Sequence, residues 1–123
     1  MRVFKTRWFH RWAKKEKVLD ANLLEAVNEM EQGLIDADLG GHVFKKRVAI
    51  QGAGKSGGAR VLLAYQINEK VFFVYAFSKN KRANISKKEL IALQAVANTF
   101  LSHDDDMLLH LTNIEEIIEV KLQ

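Results

Sequence analysis

Three apolar strand patterns follow one another between residues 43 and 77, with too little chain between them for a crossover. Val43 to Ile50, Ala59 to Ile67 and Val71 to Phe77 each show the period-two alternation of a strand. A parallel connection needs a dozen or more residues, so neighbours in this series pair antiparallel and in order. Asn68-Glu69 is a plausible tight hairpin turn. Val71 to Phe77 is apolar on both faces, which predicts a central strand covered on both sides.

The segment joining the first two patterns is Gly52-Ala53-Gly54-Lys55-Ser56-Gly57-Gly58, and Arg60 stands where the second begins. Glycines supply the positive φ that a flexible hairpin loop requires, but they do not account for Lys55 or Arg60. Gly54-Lys55-Ser56 is not a nucleotide-hydrolysing P-loop. That motif needs a glycine at position 49, which is Ala49, and a helix after it. The third pattern empties into Ser78-Lys79-Asn80-Lys81-Arg82, so pairing in order gathers two basic loops and a strand arginine at one place.

Charge is segregated. From Leu39 to Lys88 there are eleven Lys or Arg against Glu69 alone. His103 to Gln123 carries six acids against Lys121. A basic middle calls for an anionic partner, and the gathered cations predict a face that grips a phosphate backbone. Lys45 and Arg47 share one strand face; Phe44, Val48 and Ile50 share the other with Lys46.

The rest of the chain predicts helices around this sheet. Phe4, Trp8, Phe9, Trp12 and Ala13 recur at helical spacing, with both tryptophans as core anchors. Asp20 is suited to cap a second helix carrying Leu23, Leu24, Val27 and Met30, stopped by Gly33. Leu34 to His42 reads as a loop. Ser86-Lys87-Lys88-Glu89 is a capping box opening a long helix through Leu101. Ser102 is the expected cap of a further short helix, and Ile118 to Leu122 alternates like an edge strand. The expectation is one α+β domain over 1–123: two N-terminal helices on a small, mainly antiparallel sheet, with a long helix after the third strand.

The chain has no cysteine, which excludes disulfides and thiolate chemistry. It has no run of apolar residues long enough for a membrane span, and its start lacks the apolar core of a signal peptide; a cytoplasmic protein is expected. His10, His42, His103 and His110 have no partners at zinc-ligand spacing, so neither metal nor cofactor is expected. His42 reads as an ordinary loop residue.

Gly54 to Val61, then Phe77-Ser78-Lys79-Asn80-Lys81-Arg82-Ala83-Asn84-Ile85-Ser86 with Lys88-Glu89-Leu90, and Asp36-Ala37-Asp38-Leu39-Gly40-Gly41 upstream together resemble RelE-type toxins of bacterial toxin–antitoxin modules, in the HigB-like branch. The resemblance runs through most of the chain. It implies a small basic toxin that cuts messenger RNA on the translating ribosome and is held inactive by an antitoxin, here expected to be a small helix-turn-helix protein. In that setting the RNA 2′-hydroxyl is the nucleophile, and basic side chains supply positioning and charge stabilisation. Arg60 is then the phosphate clamp, since guanidinium meets phosphate with two prongs. Lys55 and Lys79 stabilise charge or transfer a proton, and Arg82 is a second clamp. Lys45, Lys46, Arg47 and Lys81 track RNA, and Tyr75 stacks a base. The competing expectation, from ParE-like relatives that act on DNA gyrase, is a binding module on the same fold without catalysis.

Overall fold

The computed structural model describes residues 1–50 and 54–121, with residues 54–57 described by their backbone alone. Six strands form one sheet: β1 (Arg2–Thr6), β2 (Ala37–Asp38), β3 (Val43–Ile50), β4 (Gly54–Gln66), β5 (Lys70–Ser78) and β6 (Ile117–Glu119). Their spatial order is β2-β3-β4-β5-β1-β6. The series β2 to β5 pairs antiparallel, as the short connections require, and β6 is antiparallel to β1. Only β1 and β5 run parallel. The four helices are α1 (Arg7–Glu16), α2 (Asp20–Glu31), α3 (Lys87–Leu101) and α4 (Asp105–Asn113). None of the described helices is long and apolar enough to cross a membrane.

The sheet is covered on both faces. Val48, Val61, Leu63, Tyr65, Val71 and Phe73 pack with α1 and α2, through Phe9, Ala13, Leu23, Val27 and Met30. Val43, Leu62, Ala64, Phe72 and Phe77 pack on the other face with Ala97 of α3 and Leu108 of α4. The two faces follow from alternation along β4, with one interruption. A bulge sets Leu62 opposite Tyr75 but Leu63 opposite Phe73, so the phase of β5 flips at Val74. Phe72, Val74, Tyr75 and Phe77 therefore all join the α3 side.

Several expectations shift. Phe4 lies in β1, not in the first helix: Val3 faces the α1 side and Phe4 the α3 side, both buried, as a strand between two neighbours demands. α2 begins at Asp20 with Leu19 in the cap position. The span read as a loop from Leu34 to His42 contains β2. Asp104, not Ser102, caps α4, its side chain accepting from the Met107 amide at 2.9 Å. Ser86 and Glu89 form the reciprocal cap that opens α3. Gly41, at φ +58°, lies so close to α3 that an added Cβ would stand 2.9 Å from Gln94 Cγ.

The largest shift concerns the glycine-rich segment. Gly54 pairs with Ile50, so β4 starts five residues earlier than the side-chain pattern indicates. Gly57 and Gly58 are strand residues, and no helix follows Lys55. The loop residues Gln51, Gly52 and Ala53, the end of the expected tail strand at Leu122, and the side chains of Lys55 and Ser56 lie outside the described residues.

Candidate functional site

Arg60 is the centre of the basic face. It pairs with Arg47 on one side and Phe77 on the other, and alternation puts it on the α3 side with Leu62 and Ala64. That face is core below Arg60: Leu62 and Ala64 are buried beneath Leu93 and Ala97 of α3. Arg60 itself is only 9% exposed. Its Nη1 is buried with no hydrogen-bond partner. Among the described residues Arg60 makes no ion pair. A guanidinium desolvated without a partner is costly, and few native structures retain one without a role.

One step along the sheet, Lys45, Leu62 and Tyr75 form the next row. The bulge at Val74 is what brings Tyr75 to this face. Its ring stacks on Trp8 at 4.8 Å between centroids and 27° between planes. Trp8 is 45% exposed, contrary to the expectation of a core anchor. It projects from the first turn of α1, where β1 has ended and no strand covers that flank of β5. Trp12 is the tryptophan that packs inward, against Phe9.

Arg82 approaches Tyr75 from the connection between β5 and α3. Its Nη1 lies 3.5 Å from the Tyr75 hydroxyl, a weak contact. Its strong bonds go elsewhere: Nη2 donates to Glu89 Oε1 at 2.7 Å, Nη1 to Oε2 at 3.1 Å and Nε to the Asn84 carbonyl at 2.9 Å. The guanidinium also lies over the Phe77 ring, 5.5 Å from its centroid. Every nitrogen is thus engaged, which is the position of a latch rather than of an empty phosphate clamp. The Arg82 hydrogen bonds, followed by those from Ser86, hold the Glu89 carboxyl down at about 2.

The other expected residues divide. Lys45 is half-buried and Arg47 exposed, on the Arg60 side of β3 by alternation. Arg47 is held at the sheet edge by Asp36, which accepts its backbone amide and pairs with its Nε at 3.4 Å. Lys79 and Lys81 are exposed on the turn after β5, Lys81 3.8 Å from Glu16. Lys46 does not belong to this surface. It is 5% exposed on the opposite face, beneath α2, with its Nζ 2.9 Å from Glu29 Oε1. The alternation that buries Val48 carries Lys46 to the same side. His42 sits at the far end of β3, away from Arg47 and Arg60. No cluster of His, Cys, Asp or Glu suited to a metal occurs among the described residues.

Trp8 and Glu89 are the two site residues that sequence reasoning missed. Glu89 was visible only as a cap, and Trp8 only as one of a helical series.

The chain matches the family model of the RelE toxin of the RelE/RelB toxin–antitoxin system over residues 1–120. It belongs to the RelE toxin family. No curated protein matches it. The α+β architecture described above, four helices packed on a mixed six-stranded sheet among the described residues, is consistent with a RelE-like fold. As a toxin of a toxin–antitoxin module, this RelE-family chain has a cognate antitoxin as partner.

Proposed function

We propose that this toxin is a ribosome-dependent messenger-RNA endoribonuclease. The carrying observation is Arg60: a guanidinium almost removed from water, with an unpartnered Nη1, paired across the sheet with Arg47. The 2′-oxygen of one nucleotide attacks its own 3′-phosphorus, its proton passes to a base, and the 5′-oxygen of the next nucleotide leaves with a proton. The products are a 2′,3′-cyclic phosphate and a 5′-hydroxyl. Negative charge on the non-bridging oxygens peaks midway, and a fixed donor aimed there contributes most.

Arg60 is the donor in this reading. Lys55 and Lys79 are the candidates for charge stabilisation and proton transfer. Such a lysine acts as a base only where neighbouring cations depress its pKa. Lys45, Arg47 and Lys81 meet the backbone phosphates, while Tyr75, backed by Trp8, offers a ring to a base. Arg82 positions Tyr75 and the loop after β5 rather than touching phosphate, because Glu89 already occupies it.

The test is cell-free translation followed by primer extension on the message. Codon-phased cuts with wild type and their loss in Arg60→Ala are the expected result. An intact message under wild-type toxin sends the fold to the binding-module reading.

A further inference from the structure

On the opposite face of the sheet, at the β1 and β6 edge, the turn between α1 and α2 borders an open cavity of about 630 Å³. Ala13, Val18 and Leu24 form its apolar floor, and Leu19 stands beside it 54% exposed. Lys14, Lys17 and Lys121 rim it. Lys14 and Lys17 make no ion pair among the described residues; Lys121 has only Glu119 at 3.7 Å, across solvent.

Three local features depart from what a merely structural turn would use. The cap of α2 is Leu19, whose side chain accepts nothing, so the first amides of the helix, those of Asp20 and Ala21, have no intrahelical acceptor, and both residues line the same cavity. The C-cap of α1, a position glycine usually fills, is Lys17 in the left-handed region at φ 60°. His10 lines the cavity with its Nδ1 buried and unpartnered. Burial, then Lys5, pushes the His10 pKa below its ordinary value.

We propose that this cavity seats an acidic, leucine-bearing segment of the cognate antitoxin. An apolar side chain fills the floor beside Leu19, and flanking carboxylates meet the three lysines and the open end of α2. A peptide suits the site better than an RNA strand. Asp20, held by Lys5 at 2.7 Å through one carboxylate oxygen, is itself half-exposed at the rim. That carboxylate accepts a peptide N–H, which a sugar-phosphate backbone does not offer. The apolar floor likewise offers nothing to a sugar-phosphate backbone. The inference rests on membership of a toxin–antitoxin family and not on the cleavage chemistry of Arg60, which lies on the other face.

The experiment measures the affinity of the toxin for the antitoxin encoded beside it. Two variants are chosen to preserve the fold. Lys17→Gly relieves the left-handed lysine and removes a cation. Leu19→Ser supplies the missing cap and closes an open amide. Both are expected to melt at or above the wild-type temperature. Lys17→Gly combined with Lys14→Glu and Lys121→Glu is expected to weaken the complex at least about tenfold, with a smaller dependence on salt than wild type. Leu19→Ser is expected to weaken it too, and message cleavage by free toxin is expected to be unchanged. A folded triple variant that binds antitoxin as tightly as wild type overturns the proposal. So does a variant that keeps the antitoxin and loses the ribosome, which would make the cavity an RNA-tracking surface. Loss of cleavage in Arg60→Ala with unchanged antitoxin affinity leaves this site standing, so the two readings fail separately.

Discussion

Arg60 and Lys46 are both strand cations on this small sheet, and the structure gives them opposite roles. Lys46 is neutralised under α2 by Glu29, whose side chain is itself 17% exposed. Lys46→Ala breaks this pair and empties the space its buried side chain fills, so it should cost about 2–3 kcal/mol of stability, read as a lower urea midpoint, while cleavage by the folded fraction persists. Arg60 has no such partner among the described residues. Its desolvation is uncompensated in the free toxin, so Arg60→Met, which keeps the bulk and drops the charge, should melt no lower than wild type. Loss of the same donor should remove about 2–4 kcal/mol of transition-state stabilisation, about a hundredfold or more in rate. Arg60→Lys should recover part of that, since an ammonium makes one contact where guanidinium makes two. A folded Arg60→Met toxin that cuts messages at the wild-type rate takes Arg60 out of the site. The arginine itself was legible in the sequence from its place at a strand start. Its burial was not, because Arg60, Leu62, Ala64 and Gln66 look like a half-polar face until α3 is known to lie over it.

Among elements, legibility depended on how many signals agreed. β3 and α3 emerge as expected because alternation, cap and stop all point the same way. β1 was hidden because Phe4 and Trp8 are four apart, a spacing that reads as one helix turn although the chain changes from strand to helix at Thr6. The start of β4 was hidden because Gly57 and Gly58 carry no side-chain pattern at all. Neither the bulge at Val74 nor the resulting Trp8–Tyr75 stack has a sequence signal; a one-residue slip in pairing is decided by the neighbouring strand. The loop after β5 is tied to α3 by Arg82 and Glu89, and this latch has an acid limit. The folded pKa of Glu89 is depressed to about 2, so the latch contributes fully above the ordinary glutamate range, and its contribution fades as pH falls from 4.5 towards 2. Relative to the intrinsic rate at each pH, hydrogen exchange of the 79–86 amides should therefore quicken across that window in wild type. In Glu89→Gln it should already be fast at neutral pH and show no such step. Equal protection in the two proteins at neutral pH would mean that the loop is held by something other than Arg82.

At the scale of the molecule, the sheet separates the two proposed tasks. The α3 side presents Arg60, Tyr75 and the basic row; the α1–α2 side presents the lysine-rimmed cavity. Arg60 is on β4 and Lys5 on β1, with β5 between them, a lateral separation of about 10 Å at ordinary strand spacing, plus the thickness of the sheet. No side chain is shared between the two groups. Substitutions that far apart with no common partner should add to within about 0.5 kcal/mol. Arg60→Ala should reduce cleavage and leave the antitoxin dissociation constant unchanged. The lysine variant should weaken the antitoxin and leave cleavage unchanged. The combined protein should show both losses at their single-variant sizes, measured by primer extension for one and titration calorimetry for the other. Coupling above that limit would mean that the sheet transmits a change from one face to the other. The antitoxin could then silence the site without covering it, through the β5 strand that touches both layers.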